Sequence, residues 1–435
     1  MSRLAIIGTV VFLAIYFFLS PAFARTPRID VIEVDGVISP ASAEYITKNL
    51  ARASRAGAEA LIIVMDTPGG LDLSMRTIIK EILNSDIPVV VFVGPSGARA
   101  ASAGAIITLA AHVAAMAPGT NIGAAHPVAM GGGKMSKTME EKVVNDAAAY
   151  VESIARKRGR NAKWAVDAVR KSVSITERQA LKLKVIDMVV DDVNSLVERL
   201  DGFTVSLPKG PVKMNTKGAE INFVKMGFRD KVLAALGNPN VAYILMLLGM
   251  AGLYFELANP GAIFPGVVGG ISLILAFFAF QTLPINYAGI LLIILALILF
   301  IAEIKVVSHG LLTVGGLISL ALGSIMLFES PLPYLRPSWS VFITTIAVVG
   351  GFFIFAITLA LRAQVARPQT GSEGLVGEVG LVETTLSPTG KVFIHGEYWN
   401  AESTEPIAEG EKVRVVSLEK GMKVKVVREK PDKKS

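Results

Sequence analysis

The sequence of 435 residues contains no cysteine, which excludes disulfides, thiolate nucleophiles and cysteine-ligated metals together. An exported chain of this kind is held by its core or by association of copies, and a homo-oligomer is expected. Histidine is scarce. His112, His126, His309 and His395 lie far apart without His-x-x-x-His or carboxylate-paired spacing, so no metal and no other cofactor is expected. Charge is thin at 18% and almost missing between Val241 and Leu361, where only Glu256, Glu303, Lys305, Glu329 and Arg336 interrupt apolar sequence. With 52% hydrophobic residues and a mean hydropathy of +0.54, this excludes a wholly soluble chain. The net charge of +7 would admit nucleic acid as a partner. Much of that charge sits beside apolar runs and in the tail Arg428 to Lys434, where positive charge is routine, so no nucleic acid is expected.

Residues 1–24 combine Arg3, an apolar run from Leu4 to Leu19 and the A-x-A site Ala22-Phe23-Ala24. This is the pattern of a secretory signal peptide cut after Ala24; an uncleaved anchor would deliver the next segment across the membrane equally well. From 25 to 205, apolar runs alternate with amphipathic ones. Ile29 to Val37 alternates as a strand, and Ser39-Pro40 opens a helix to about Arg55. Ala60 to Met65 and Ile87 to Val93 are continuous apolar runs, as in strands covered on both faces, with a helix from about Leu73 to Leu83 between them. This alternation implies right-handed crossovers, a parallel sheet, and a site at the C-terminal ends of its strands. Asp66-Thr67-Pro68-Gly69-Gly70 follows one such end, and Gly94 to Ala105, in which Ser102 opens a helix of small residues, follows another. Small residues there serve either close packing or an oxyanion at the positive end of the helix dipole.

Further on, Gly131-Gly132-Gly133 should form a mobile loop, and a helix from about Met139 to Arg158 carries Lys142 in its first turns. Thr176-Glu177-Arg178-Gln179 fits a capping box before the strand Val185 to Val190. Residues 206–240 read as a link. The segment 241–362 reads as a membrane domain of about five spans, broken at Pro260-Gly261, Pro284, His309-Gly310 and Pro331-Leu332-Pro333. With the first domain on the extracytoplasmic side, five spans put Lys305, Arg362, Arg367 and the C-terminal domain in the cytoplasm, in line with the positive-inside tendency. Glycine pairs such as Gly249 with Gly252, Gly266 with Gly269 and Gly270, and Gly315 with Gly316 suggest close helix packing. The embedded acids Glu256 and Glu303 allow a transport reading. From 371 to 430, five short strands suit a small OB-like barrel, read as an assembly module because Tyr398 and Trp399 lack a basic-aromatic stripe.

Attack by Ser102 on a peptide needs a base. His126 is one candidate, although no acid is obvious as its partner and Asp66 and Asp146 are guesses. Lys142 is the other, provided that burial among Ala147, Ala148 and Ala149 favours its neutral form; Lys134 and Lys137 look solvated.

Taken in order, Asp66 to Gly70, Ala101-Ser102-Ala103-Gly104-Ala105, Ala117 to Pro127 and Lys142-Val143-Val144-Asn145-Asp146, followed by multiple spans and an OB-like end, resemble the NfeD family. These are membrane-bound serine proteases of the Clp and signal-peptide-peptidase-A class. The resemblance implies an α/β crotonase/Clp-like protease domain, an α-helical multi-span membrane domain and a small all-β OB-like domain. It implies Ser102 as nucleophile, Lys142 as general base, an oxyanion hole from Gly69 or Gly70 with the Ala103 N–H, and His126 and Pro127 lining the cleft. In the Clp peptidases proper, a histidine near the position of His126 is the base. The resemblance further implies a stomatin-like or prohibitin-like membrane partner and an apolar peptide substrate at the lipid bilayer. One departure is Lys184, where related chains usually carry glycine. A non-catalytic scaffold that organises such a partner is the rival reading.

Overall fold

The computed structural model describes residues 26–128, 136–306, 308, 310–330, 333–365, 372–419 and 423–429. The signal-peptide segment, the Gly131–Gly133 run, Lys134 and His309 lie outside them. The chain divides into two compact units, up to Val348 and from Val349.

The first unit begins with βα units. In chain order these are β1 (Arg28–Asp35), α1 (Pro40–Ala56), β2 (Ala60–Asp66), α2 (Asp72–Leu83), β3 (Val89–Val93), β4 (Arg99–Ala101), α3 (Ala103–Ala110), β5 (Val113–Met116) and β6 (Asn121–Gly123). There follow α4 (Lys137–Lys157), α5 (Ala162–Arg170), β7 (Ser174–Thr176), α6 (Glu177–Lys182), β8 (Met188–Val189) and α7 (Val193–Leu200). The expected parallel sheet is present with the order β1-β2-β3-β5-β8. Its apolar strands are buried on both faces. Ile32, Val34, Leu61, Ile63, Val89 and Val91 pack with the helices from α1 to α6, while Ile29, Val31, Ile62, Val90 and Phe92 pack with Leu196, Val197 and Leu200 of α7. A separate three-stranded sheet, β4-β6-β7, stands beside it.

Residues 206–240, read from sequence as a link, are structured. They contain β9 (Thr204–Leu207) in part, β10 (Gly210–Lys213), β11 (Glu220–Phe223) and α8 (Phe228–Leu236). β11 pairs in parallel with β1 and extends the main sheet to six strands, and Asn222 Nδ2 donates to the buried carboxylate of Asp30 at 2.7 Å. Four residues are too few to announce a strand by periodicity, and the pairing partner lies at the other end of the domain. α8 is strapped to α1 by Lys48–Asp230 and Arg229–Glu44 ion pairs at 3.2 and 2.9 Å. Lys184 adopts φ +56°, the left-handed conformation that favours glycine.

Five apolar helices follow: α9 (Pro239–Ala258), α10 (Ile263–Phe280), α11 (Tyr287–Lys305), α12 (Leu311–Leu327) and α13 (Trp339–Val365), the last running into the second unit. α9 and α10 are long and apolar enough to cross a membrane, and the apolar stretches Tyr287–Glu303, Leu311–Leu327 and Trp339–Phe355 are shorter. Gly249, Gly252 and Gly269 let α9 and α10 touch through backbone; a methyl on Gly252 would stand 2.6 Å from Gly269 Cα. Gly289 and Gly323 do the same for α11 and α12, a pair not singled out in the sequence. Glu303 caps α12, accepting from Gly310 N–H at 3.0 Å, Thr313 N–H at 2.9 Å and Ser308 Oγ at 2.7 Å, so one of the two acids behind the transport reading is structurally employed.

In the second unit β12 (Val379–Val382), β13 (Thr389–Ile394), β14 (Glu397–Glu402), β15 (Lys412–Glu419) and β16 (Lys423–Arg428) close a barrel in the order β12-β13-β14-β16-β15. Val382, Val392, Ile394, Val413, Val415 and Val424 fill it. The architecture is therefore an α/β domain, a helical apolar region and a small all-β barrel, in the order expected.

Candidate active site

β4 is three residues long, yet it fixes Ser102. It is stitched on one side to Thr67, whose N–H donates to Arg99 O at 2.8 Å and whose O accepts from Ala101 N–H at 3.0 Å. On its other side it pairs with β6, Ala101 opposite Gly123, and Ser102 N–H donates to Gly123 O at 2.8 Å. The chain then turns into α3 through Ser102 itself, at φ 52° and ψ −115°, a conformation that costs a non-glycine residue of order 1–3 kcal/mol. Strain of this kind aims a nucleophile out of a strand-to-helix turn. Ser102 is half-buried, and its Oγ makes no hydrogen bond among the described residues.

Of the two neighbouring glycines, Gly69 meets Ser102 directly, whereas Gly70 lies against the Ile38 backbone. Gly69 has φ +121°, and a methyl there would stand 2.7 Å from Ser102 Cβ and 3.2 Å from its Oγ. The Gly69 N–H donates to the buried Thr67 hydroxyl at 3.1 Å. The Gly70 N–H and the first N–H groups of α3, Ala103 and Gly104, have no protein acceptor among the described residues, as befits a helix start. Gly104 is packing: a methyl there would stand 2.3 Å from Thr67 Cγ2. Close approach thus accounts for Gly69 and Gly104, and the N–H groups of Gly70, Ala103 and Gly104 are left without a protein acceptor among the described residues.

α3 is clamped at its far end. Arg158 Nε donates to Ala110 O at 2.8 Å, and Arg160 Nη1 donates to Leu109 O and Ala111 O at 2.5 and 2.8 Å, cations where the helix dipole favours them. His112 lies beside them: Val89 N–H donates to its Nδ1 at 3.2 Å, which leaves the imidazole proton on Nε2, and Arg158 Nη2 stands 3.2 Å from that nitrogen. Burial and the two guanidinium groups hold its pKa down at about 3, so it stays neutral and structural.

His126, after β6, and Pro127 are half-buried. His126 Nδ1 lies 2.9 Å from Val169 O, which makes Nδ1 the donor and leaves Nε2 as acceptor. The guessed acids are engaged elsewhere: Asp66 accepts from Arg99 N–H at 3.0 Å, and Asp146 pairs with Arg76 of α2 at 2.6 Å. His126 lines a recess of about 600 Å³ with Lys137, Glu140, Glu141, Val144, Asn145 and Arg170.

Lys142 is exposed, in contrast to the burial expected from the nearby alanines; of these only Ala148 is buried. It stands one turn before Asp146, on the edge of α4 that meets α2, the helix that starts just past Gly69 and Gly70. It has no hydrogen bond or ion pair among the described residues. Tyr334, which sequence reasoning passed over as part of a break between spans, also reaches Ser102's surroundings: its hydroxyl would lie 3.3 Å from a methyl on Gly69. The signal was the sequence Pro331-Leu332-Pro333-Tyr334, but nothing local says that it reaches a strand end so far away.

Three family descriptions match the chain: "NfeD1b, N-terminal domain" over residues 28–209, "NfeD integral membrane domain" over 240–359, and "NfeD-like C-terminal, partner-binding domain" over 372–428. The chain is 37% identical over 432 residues to membrane-bound protease PH1510 of Pyrococcus horikoshii, covering 97% of both chains. It is 31% identical over 422 residues to membrane protein NfeD1b of Bacillus subtilis, covering 94% of both. Among solved structures it matches 1510-N, a membrane protease specific for a stomatin homolog from Pyrococcus horikoshii, at 34% identity and a TM-score of 0.42, over 48% of this chain and 97% of that one.

Proposed function

The chain belongs to the NfeD family and is a membrane-bound serine protease, and from that premise we propose that Ser102 and Lys142 are its catalytic dyad. Lys142 Nζ takes the proton of Ser102 Oγ as Oγ attacks the peptide carbonyl. The oxyanion is held by the N–H groups of Gly70 and Ala103 at the start of α3, since the Gly69 N–H is taken by Thr67. The ammonium group then protonates the leaving amine, and water repeats the sequence on the acyl-enzyme. The observation that carries this reading is Ser102 itself: strained at φ 52°, against the Gly69 backbone, with unspent N–H donors beside it.

An exposed amine becomes a base only when it is desolvated, so substrate laid between α2 and α4 completes the dyad. His126 and Pro127 line the cleft that receives it. The substrate is an apolar peptide segment of a stomatin-like or prohibitin-like membrane partner, and the barrel is the part that binds the partner. The α/β domain stands on the extracytoplasmic side of a multi-pass membrane region, the barrel in the cytoplasm, and copies of the chain associate. A Ser102–His126 pair is the second reading, favoured by the free Nε2 of His126.

The test is labelling of the full chain by a fluorophosphonate. Wild type should react, Ser102→Ala should not, and Lys142→Ala should react far more slowly while His126→Ala stays near wild type. An unreactive wild type would favour the scaffold reading, and normal labelling of Lys142→Ala with loss in His126→Ala would transfer the base to the histidine.

A further inference from the structure

The segment between α12 and α13 packs against the start of α9 and reaches the α/β domain through Tyr334. Leu335 and Pro337 are buried, Ser338 N–H donates to Asn240 Oδ1 at 2.8 Å, and Phe342 packs edge-on to Tyr243 at 5.2 Å. Ile285 bridges Phe328 and Asn286 Nδ2 donates to Glu329 at 2.9 Å, so the α10–α11 and α12–α13 connections meet at one end of the helices. These contacts present Tyr334 to the nucleophile. The point where a methyl on Gly69 would stand is 3.3 Å from the Tyr334 hydroxyl and 3.2 Å from Ser102 Oγ, so both oxygens face one small space.

The Tyr334 hydroxyl has no hydrogen-bond partner among the described residues, and neither has Ser102 Oγ. A plug would be expected to satisfy the groups that it covers. Here a donor and a nucleophile are both left unspent, as in a site awaiting a third group. Burial pushes the phenol up from its ordinary value, with the Arg99 guanidinium pulling partly the other way, so the hydroxyl keeps its proton at neutral pH.

We propose that Tyr334 is a catalytic residue supplied by the membrane region, its O–H donating to the tetrahedral intermediate formed on Ser102. It adds a side-chain donor to the two backbone donors, Gly70 and Ala103. The apolar helices then add a donor to a site whose other groups the α/β domain supplies. This rests on Ser102 being the nucleophile.

The experiment uses the full chain in detergent with an internally quenched peptide of apolar sequence, and compares wild type, Tyr334→Phe, Tyr334→Ala and Ser102→Ala. Loss of the hydroxyl alone should lower kcat about tenfold with KM little changed, the mark of a contact made in the transition state. Tyr334→Ala should fall at least as far. Equal kcat in Tyr334→Phe and wild type would overturn the proposal, because a packing role survives that change. Faster turnover in Tyr334→Ala would overturn it too, in favour of a plug. Cleavage that persists in Ser102→Ala would remove the nucleophile reading and this inference with it, a result distinct from an active wild type indifferent to Tyr334.

Discussion

Ser102 is held by backbone on every side, whereas Lys142 stands on an exposed helix edge with no partner among the described residues. β4 lies between Thr67 and β6, α3 is clamped by Arg158 and Arg160, and Gly69 leaves no room for Ser102 to turn away. α4 is anchored by Ala148, Val151 and Ile154 further along, and its first turns carry little buried surface. On the proposed dyad, the difference means that the nucleophile and oxyanion site are formed in advance, while the base is recruited when peptide covers it. Preformed donors lower the barrier because they need no reorganisation during reaction. In that proposal, a base that forms last confines hydrolysis to the occupied site.

The sharpest way to break this comparison is Lys142→Ala, for which peptide turnover should drop about a thousandfold with the thermal stability unchanged. Retention of a tenth of the activity would hand the recruited role to His126. Acid should act on the preformed half. His112 is neutral in the fold with its pKa at about 3, against an ordinary 6.5, so below pH 6.5 the unfolded chain takes up a proton that the fold resists. Stability is complete well above pH 6.5 and is lost as pH falls towards 3, by roughly 4 to 5 kcal/mol. Denaturant titrations of wild type and His112→Asn across that window measure it, and a wild-type slope no steeper than the variant's would sink the assignment.

Gly69→Ala presses a methyl onto Ser102 at 2.7 Å in a backbone conformation that alanine avoids, and should cost about a hundredfold in kcat/KM. Wild-type kinetics in this variant would mean that the nucleophile is not held as described. The smallest effects come from two of the non-glycine residues held at positive φ, Ser102 and Lys184. Ser102→Gly and Lys184→Gly should each raise stability by about 1 kcal/mol through relief of positive φ. Only the first should abolish labelling, which separates strain that serves chemistry from strain that does not.

Much of this was legible in sequence, and the rest was not for definite reasons. Apolar runs such as Ala60 to Met65 reported the buried strands because both faces of the sheet are covered, and the Thr176 capping box formed as read. β4 and β6 carry no periodicity in three residues, so the device that strains Ser102 was invisible although Ser102 itself was conspicuous. Lys142 could be named from resemblance but its exposure could not, because the alanines that follow it divide between two faces of α4. Tyr334 was hidden altogether, since its meeting with Gly69 is a tertiary contact with no local trace.

β11 has a consequence for the order in which the molecule is made. The first strand, β1, is complete on one side only when residues 220–223 have emerged, and these come just before the first apolar helix at Pro239. Until then β1 offers an open edge, and Asp30 lacks Asn222. Synthesis therefore closes the sheet at nearly the same moment as it begins the apolar helices. A ribosome stalled before residue 220 holds a domain with every group named around Ser102 except Tyr334, yet with an adhesive border.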